Sequence, residues 1–295
     1  MPELPEVEIV RRTLEPHLMG RRIVALEALW LKSLVISDAA REFFNSRADW
    51  LILALKRRGK LLIIELGDRP DGPASLFMGF HLKMTGQVLV KPADTSPGKY
   101  TRVMLEIRSD DGVITKLFFD DMRKFGFCRV MLPEEKEEWG FLRKLGPEPL
   151  EIDANRFAAC FCKPGSVSVG KETLLSGKVK NLLMNQEVIA GVGNIYADEA
   201  LFRAGIRPDC PVCELSLAKL VRLGECVQEV LKLGIAAGGS SIRDYLDADG
   251  KAGAFQEEFQ VYGRKGQACP KCGNILEHMK LAGRSTVFCP FCQQY

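Results

Sequence analysis

The chain has 295 residues, which at roughly 100–200 residues per domain predicts two or three domains. Its 41 Lys and Arg residues nearly balance 38 Asp and Glu residues, so the formal charge of +3 argues against a uniformly basic nucleic-acid binder but permits a local basic face. No apolar run approaches the roughly 18 residues of a membrane span. The acidic residues at the start, Glu3, Glu6 and Glu8, do not fit a basic secretion signal. We therefore expect a soluble, cytoplasmic protein with no membrane segment.

The first 132 residues predict one helix followed by many short strands. Val7–Leu18 has apolar residues at helical spacing and ends before Gly20. Strand-length runs separated by turn signals follow at Ile23–Ala28, Leu34–Ile36, Trp50–Lys56, Lys60–Leu66, Ser75–Leu82, Gln87–Val90, Arg102–Ile107, Ile114–Phe119 and Phe127–Met131. Such spacing predicts a β-sandwich or barrel. The charged run 133–138 and the rigid Gly146-Pro-Glu-Pro149 place a linker at 133–149.

The second half predicts helices and then a metal-binding finger. The helical segments are Asp153–Cys162, Val179–Ala190, Ile195–Ala204, Ser216–Ala236 and Ser241–Leu246, and a glycine-rich loop spans Asp247–Gly266. The whole chain is therefore of the α+β class. We predict a β-sandwich domain at 1–132, a helical domain at 150–256 and a finger at 257–295.

Four of the ten cysteines form two C-x2-C pairs, Cys269 with Cys272 and Cys289 with Cys292, sixteen residues apart. Two such pairs complete a tetrahedral zinc site, and Thr286–Phe288 predicts a strand between them, as in a β-hairpin zinc ribbon. Two redox pairs or disulfides are the alternative, which the spacing and the expected reducing compartment disfavour.

The other six cysteines carry no such pattern. Cys160 and Cys162 could join Cys210 and Cys213 in a second metal site, but we favour small buried residues or free thiols.

Four short motifs could carry chemistry, although each has an ordinary structural explanation. Pro2 becomes a secondary amine nucleophile if Met1 is removed, with a carboxyl group beside it at Glu3. The basic turn 56–60 could grip phosphates, and 122–126 presents Arg and Phe at a strand end, as a base-stack wedge requires. Gly191-Val-Gly-Asn194 precedes a helix start, where backbone N–H groups favour an anion.

Together these motifs resemble the bacterial formamidopyrimidine-DNA glycosylase family, to which the endonuclease VIII enzymes are related. The resemblance covers essentially the whole chain. It rests on Pro2-Glu-Leu-Pro-Glu-Val7-Glu8, Arg57-Arg-Gly-Lys60, His81-Leu-Lys-Met84, Arg123-Lys-Phe125-Gly126, Leu145-Gly-Pro-Glu-Pro149-Leu150, Gly191-Val-Gly-Asn194-Ile-Tyr196, Asp249-Gly-Lys251, Val261-Tyr-Gly-Arg264-Lys-Gly266 and the four-cysteine finger.

The resemblance implies roles for individual residues. Pro2 is the nucleophile, Glu3 the general acid and Glu6 a supporting carboxylate, and Lys60 joins the catalytic group. The residues that match the family's contacts to DNA phosphates are Lys60, His81, Lys180, Asn194, Tyr262 and Arg284. The residues that fill the hole left by a flipped nucleotide are Met84, Arg123 and Phe125, with Arg123 facing the cytosine opposite the lesion. The stretch 238–253, with Arg243 near its start, matches a loop that closes over the extruded base.

The implied activity is excision of oxidised purines from duplex DNA, followed by strand cleavage. Pro2 would displace the base, form a Schiff base and drive β- and δ-elimination, after the lesion has been rotated out of the stack. The implied partner is damaged double-stranded DNA, and we expect a monomer associated with the bacterial nucleoid. The only cofactor expected is one structural Zn²⁺, with no redox or organic cofactor.

This chain departs from the family pattern at three places. Lys124 stands where the family usually has Arg, and Met122 where Pro is common. The resemblance implies that the helical domain at 150–256 is a helix–two-turn–helix domain with a lesion-capping loop. Residues 155–176 look longer than the family pattern before this motif, and the Cys210–Cys213 pair follows its second helix.

Two alternatives to the purine enzyme remain at this point. An endonuclease VIII-like enzyme would prefer oxidised pyrimidines, against which the Leu4-Pro5 start and the 238–253 loop argue. A non-catalytic zinc-ribbon protein would bind lesions without forming a covalent complex.

Overall fold

A computed structural model describes residues 1–163, 174–242 and 244–295. These residues form two compact units, Met1–Arg143 with Ala237–Ala254, and Lys144–Ala236 with Phe255–Tyr295. The predicted domain boundaries at 132, 149 and 256 stay a prediction. The compact units divide the chain elsewhere, because the returning stretch 237–254 packs with the first unit.

The first unit combines four short or medium helices with a sheet. The helices are α1 (Leu4–Leu18), α2 (Asp38–Asn45), α3 (Pro133–Glu138) and α4 (Gly140–Arg143). The strands are β1 (Arg22–Ala28), β2 (Leu34–Ile36), β3 (Trp50–Arg58), β4 (Leu61–Gly67), β5 (Leu76–His81), β6 (Gly86–Pro92), β7 (Thr101–Arg108), β8 (Ile114–Asp121) and β9 (Phe127–Met131). All nine strand predictions are confirmed, because alternating or fully apolar runs between turn residues dominate this half of the sequence.

The described strands pair in the order β2-β9-β5-β4-β3-β1-β7-β8-β6, antiparallel except for the parallel pair β2 and β9. Register shifts in β1, β3 and β7 mark bulges, which bend strands. Val88 of β6 and Val130 of β9 lie near opposite ends of this order, yet both belong to one hydrophobic core. The sheet therefore folds over on itself, which confirms the α+β fold with an N-terminal β-sandwich.

Helix α1 covers this core with Val7, Val10, Leu14 and Leu18, all fully buried at helical spacing. Burying each such side chain stabilises the fold by about 1.5–3 kcal/mol. The helix begins at Leu4, three residues earlier than predicted. The reason is a capping box between Glu3 and Glu6, which satisfies backbone N–H groups of the first turn.

The second unit is mainly helical and ends in a β-hairpin. Its elements are α5 (Ala154–Ala159), α6 (Val179–Leu183), α7 (Asn194–Ala204), α8 (Leu217–Ala236), β10 (Glu277–Leu281) and β11 (Arg284–Phe288). Helix α7 packs on α8 at Gly234, where a Cβ would lie 2.5 Å from the Tyr196 hydroxyl. No helix in the described ranges is long and apolar enough to cross a membrane.

One predicted helix is too long, one is wrong, and α2, α3 and α4 were missed, the last two because 133–149 was interpreted as a linker. Helix α6 ends at Leu183 instead of Ala190, because the Gln186 side chain pairs with the backbone of Gly191 and Val192 and folds the chain into a turn. The described residues of 241–246 form no helix, since Ser241 donates its hydroxyl to the Tyr245 carbonyl. Helix α2 was missed, although Ser37 caps it by accepting the Ala40 N–H.

Candidate active site and metal centre

The first turn of α1 holds the predicted nucleophile and acid in one arrangement. Pro2 and Glu3 are buried directly before the helix. The Glu3 N–H donates to Glu6 Oε2 at 2.8 Å, and the Glu3 carboxylate accepts the Glu6 N–H in return. The helix N-terminus also favours negative charge at this position. Helix capping therefore places Pro2, Glu3 and Glu6 together in the first turn of α1.

The second oxygen of Glu6 binds the returning stretch 237–254, which we call the return loop. Glu6 Oε1 accepts the Ser240 N–H at 2.8 Å, and the Tyr245 hydroxyl donates to the Glu6 carbonyl at 3.2 Å. Gly239 has a φ of +84°, and a Cβ there would lie 2.9 Å from the Tyr245 ring and 3.2 Å from Glu6 Cγ. Sequence reasoning missed Ser240 and Tyr245, and the conspicuous Gly238-Gly239 pair was the available signal.

Lys60 lies in the two-residue turn between β3 and β4, after Gly59 with a φ of +56°. Arg57 supports this turn by donating to the Gly59 carbonyl at 3.1 Å and to Glu8 of α1 at 3.3 Å. Burial acts to raise the pKa of Glu8, but its hydrogen bonds with Arg11 and Arg12 and the charge of Arg57 lower it overall. The ionised Glu8 thus ties the α1 helix to the turn that carries Lys60.

His81, at the end of β5, is buried against Phe127 and Phe141, with ring centres 5.7 and 5.6 Å away. Burial, followed by the charges of Lys83 and Lys60, lowers the pKa of His81 from 6.5 to about 3. Its Nδ1 accepts the Lys83 N–H at 3.1 Å. His81 is therefore a neutral imidazole whose Nε2–H is left as the donor.

The three predicted wedge residues lie on two loops of the first unit. Met84 follows β5 and is partly buried, whereas Phe125, after β8, is 55% exposed. The Arg123 guanidinium lies 4.8 Å from the centre of the Phe125 ring. Fully buried Asp121 shapes this loop, because its carboxylate accepts the N–H groups of Arg123 at 3.2 Å and Gly126 at 2.7 Å. Sequence reasoning did not identify Asp121.

In the second unit, Lys180 is fully buried. Its ammonium lies 2.6 Å from the Asp198 carboxylate and 2.7 Å from the Thr286 hydroxyl. Burial raises the pKa of Asp198 to about 7, and the charge of Lys180 acts in the opposite direction. The phosphate contact predicted for Lys180 stays a prediction; the observed contacts join α6, α7 and β11.

Asn194 and Arg284 lie beside this buried pair. Asn194 is the first residue of α7, after the Gly193 cap, and its side-chain amide donates to the Ser285 carbonyl at 3.0 Å. The Lys180 ammonium approaches the same carbonyl at 3.4 Å. Arg284 is exposed and adjacent in sequence to Ser285. The structure therefore brings together Lys180, Asn194 and Arg284, which lie far apart in sequence.

Tyr262 lies on a turn that one carboxylate holds. Glu199 of α7 is fully buried and accepts the backbone N–H groups of residues 260, 261 and 262 at 2.8–3.0 Å. Burial raises the pKa of Glu199, and these three hydrogen bonds lower it in part. Sequence reasoning missed Glu199, although adjacent acids at 198 and 199 within an apolar helix were a signal.

The four predicted metal ligands form one cluster. The ligand atoms of Cys269, Cys272, Cys289 and Cys292 all lie within 4.8 Å of one another, and the Sγ–Sγ distances are 3.9 Å for Cys269–Cys292 and 3.5 Å for Cys272–Cys289. Tetrahedral zinc with Zn–S bonds of about 2.3 Å requires sulfur atoms about 3.8 Å apart. Hydrogen bonds from Asn274 lower the pKa of Cys272 to about 6, whereas burial raises the pKa of Cys289 and Cys292. The donor set therefore fits a closed, four-thiolate metal site.

Other predictions gain no support or fall outside the described residues. Within the described ranges, Cys160, Cys162, Cys210 and Cys213 form no metal-ligand group. Arg243 and residues 164–173 of the long segment 155–176 lie outside the described residues.

Three family models match the chain. They are the N-terminal domain of formamidopyrimidine-DNA glycosylase at residues 1–128, its H2TH domain at 145–245, and the zinc finger found in FPG and IleRS at 266–294.

Relatives with the name formamidopyrimidine-DNA glycosylase match closely. That of Desulfitobacterium hafniense is 40% identical over 295 residues, which cover 99% of this chain and 100% of the relative. That of Nitratidesulfovibrio vulgaris is 49% identical over 224 residues, which cover 76% of this chain and 57% of the relative.

Solved structures agree with these matches. A mutant of Lactococcus lactis FPG in complex with a Fapy-dG containing DNA superposes with a TM-score of 0.84 at 33% identity, over 100% of both chains. The wild-type Lactococcus lactis protein with an oxidised pyrimidine containing DNA gives 0.82 at 32% identity, again over the full length of both chains.

The pKa of His81 predicts a pH-dependent stability. Folded His81 stays neutral down to about pH 3, whereas the unfolded residue takes up a proton below about pH 6.5, so stability present above pH 6.5 is lost as the pH falls. Between about pH 7.5 and pH 5 we expect wild type to lose about 2 kcal/mol more unfolding free energy than His81→Gln. Urea unfolding at both pH values measures this. The exposed His278→Gln variant is the control, and an equal loss in His81→Gln would contradict the assignment.

The buried pair in the second unit predicts a large effect of one substitution. Lys180→Met leaves the Asp198 carboxyl buried without its cation, and should cost about 3 kcal/mol of unfolding free energy. Because the variant then folds more readily when Asp198 is protonated, the loss of unfolding free energy should be larger at higher pH. Adding Asp198→Asn should recover part of it. The exposed Lys178→Met variant is the matched control, and equal stability of the two Met variants in thermal unfolding would refute a buried ion pair.

Proposed function

The chain belongs to the formamidopyrimidine-DNA glycosylase family, and from that membership we propose how its own residues act on DNA. It is a base-excision-repair DNA glycosylase for oxidised purines. The observation that carries the residue assignments is the first turn of α1, where one capping arrangement joins Pro2, Glu3 and Glu6 to the return loop. The name of the relatives and the complex with a Fapy-dG containing DNA support the purine enzyme over the endonuclease VIII-like alternative.

Pro2 is the nucleophile once Met1 is removed. Met1 is 41% exposed whereas Pro2 is buried, so loss of Met1 uncovers the Pro2 nitrogen at a rigid helix start. An uncharged secondary amine attacks the C1′ carbon of the sugar and displaces the base. Glu3, the next residue along the chain and fixed by Glu6, is placed to move protons at the sugar.

Strand cleavage follows from the same covalent intermediate. Displacement of the base joins the Pro2 nitrogen, which loses its proton, to C1′. The sugar ring then opens as the C1′–O4′ bond breaks and O4′ takes up a proton, which leaves an iminium ion between Pro2 and C1′. This iminium ion accepts electrons when a proton leaves C2′. The 3′ phosphate then departs by β-elimination, and the 5′ phosphate by δ-elimination. The buried Lys60 side chain at the β3–β4 turn is proposed to assist this catalytic group.

Phosphate binding is assigned to groups on both units. In the first unit, the neutral Nε2–H of His81 is a hydrogen-bond donor that does not depend on protonation. In the second, exposed Arg284 and the nearby Asn194 lie at one surface, and Tyr262 on the turn held by Glu199 is a further contact. The buried Lys180 ammonium stabilises the strand that carries Arg284, because it donates to the Ser285 carbonyl and to the Thr286 hydroxyl.

Base flipping is assigned to the two wedge loops and the return loop. The duplex shields the reacting sugar, so the lesion has to leave the stack, at a cost of a few kcal/mol. Met84 and Phe125 fill the vacated space, and Arg123 faces the base opposite the lesion. The return loop, which includes Arg243, is proposed to cover the extruded purine. The hydrogen bond of this loop to Glu6 places the loop beside the first turn of α1.

A structural Zn²⁺ is proposed for the four-cysteine cluster. With four thiolates the coordination shell is closed, so the ion supplies folding energy to the finger and no catalytic water. The chain is proposed to act as a monomer in the bacterial cytoplasm, where the chromosomal DNA lies.

Borohydride trapping tests the nucleophile. Wild type with an 8-oxoguanine:C duplex should give a covalent complex whose linked peptide starts at Pro2. Pro2→Gly should reduce excision by about 100-fold or more while DNA binding changes little, since loss of an activated nucleophile affects the chemical step. Pro5→Ala is the matched control in the same helix turn.

Three outcomes would contradict the proposal. A retained Met1 in the active protein would exclude a Pro2 amine. The absence of any trapped complex would favour a non-catalytic lesion binder. Faster cleavage of a thymine glycol:A duplex than of 8-oxoguanine:C would favour the pyrimidine enzyme.

Metal removal tests the zinc assignment. Cys269→Ser should reduce the zinc bound per chain, with a loss of roughly 10–100-fold or more in metal affinity, and should weaken DNA binding because Arg284 lies on the finger hairpin. Zinc content by elemental mass spectrometry and binding by fluorescence anisotropy measure both effects. The exposed Cys213→Ser variant should match wild type, and equal metal content in all three proteins would refute the site.

A further inference from the structure

Each wedge loop contains a lysine in an unusual backbone conformation immediately before its wedge residue. Lys83, with a φ of +53°, precedes Met84, and Lys124, with a φ of +59°, precedes Phe125. Among the described non-glycine residues, Ala282 alone shares a positive φ with these two. L-residues disfavour this left-handed region because Cβ crowds the following carbonyl. Contacts with the surrounding structure are therefore needed to hold the two loops in this form.

Lys124 has such a contact with Trp30. Its ammonium lies 3.7 Å from the centre of the Trp30 ring, within the range of a cation–π interaction. The corresponding distance from Lys83 to the Phe127 ring is 5.9 Å, so the Trp30 contact is the closer of the two. Trp30 is 36% exposed and lies next to Leu31, which is 79% exposed, so neither side chain is a core residue.

The Trp30 backbone is anchored to the base of the same loop. The N–H groups of Leu29 and Trp30 both donate to the Arg102 carbonyl, at 2.9 and 3.1 Å. Arg102 in turn donates its Nε–H to the Asp121 carbonyl at 2.8 Å. Since the Asp121 carboxylate holds the N–H groups of Arg123 and Gly126, the Trp30 ring has a fixed place relative to the wedge loop.

We propose that Trp30 is a positioning residue for the reading of the base opposite the lesion. Its ring holds Lys124 in the left-handed conformation, and this conformation directs Arg123 and Phe125 outward from the loop. This inference rests on the proposed function, because it is Arg123 that would face the opposite base. Without the ring, the loop would populate other conformations. The fraction of molecules in which Arg123 is placed to bond with the opposite base would then fall.

The expected signature is a loss of specificity and not a loss of chemistry. A cytosine opposite the lesion is favoured only when Arg123 is placed to bond with it, whereas Pro2 chemistry at an exposed sugar needs no such contact. Trp30→Leu should therefore lower the preference for 8-oxoguanine:C over 8-oxoguanine:A by roughly fivefold or more. Trapping on a duplex with a preformed abasic site should stay within about twofold of wild type.

The experiment is single-turnover excision from the two duplexes with a matched set of variants. Trp30→Phe keeps a ring and should retain most of the preference, and Lys124→Arg keeps the cation and should do the same. Lys124→Met should reduce the preference as Trp30→Leu does, and the double variant should show no further loss. Leu31→Ala, an exposed apolar neighbour, is the control.

Lys124 is exposed, so Lys124→Met tests the idea even if Trp30→Leu folds poorly. An unchanged preference in Lys124→Met would overturn the proposal. Additive losses in the double variant would also overturn it, since Trp30 would then act on DNA without Lys124. Failure of wild type to excise from either duplex is a different result, which would refute the proposed function on which this inference rests.

Discussion

The buried Glu6 carboxylate is the interaction on which the candidate active site depends. One oxygen accepts the Glu3 N–H and the other accepts the Ser240 N–H, 234 residues away in sequence. A buried carboxylate is costly to desolvate unless both of its oxygens accept hydrogen bonds. Loss of either hydrogen bond would therefore destabilise the folded state. The start of α1 and the return loop are therefore joined through a residue with no proposed bond-making role of its own.

The same device recurs at two other places. Asp121 accepts backbone N–H groups of the loop that carries Arg123, and Glu199 accepts those of the turn that carries Tyr262. In each case a buried carboxylate binds the backbone of an irregular segment, and the side chain with the proposed DNA contact takes no part in these hydrogen bonds. The rigid supports of the proposed DNA contacts are thus mainly carboxylates, although the ligand is itself an anion.

This arrangement also explains how a chain of net charge +3 can serve an anionic partner. Many acids are used internally: Asp198 neutralises Lys180, and Glu8 binds Arg57. His81 contributes a neutral donor in place of a charge. Exposed cations such as Arg123 and Arg284 remain available to an anionic partner. Modest net charge keeps sequence-independent, salt-sensitive adhesion to DNA limited.

Sequence alone determined whatever depends on local periodicity, local spacing or ordered motifs. The strands of the sandwich, the apolar face of α1, the four-cysteine finger and the family resemblance all have this origin. Only the tertiary structure revealed that Lys180 is buried and that the chain turns after Leu183. The same holds for the contacts of Asp121, Glu199 and Trp30 with the segments that carry Arg123, Tyr262 and Lys124. The physical reason is that the partners of these side chains lie on other elements, so their burial, charge and orientation exist only after the chain has folded.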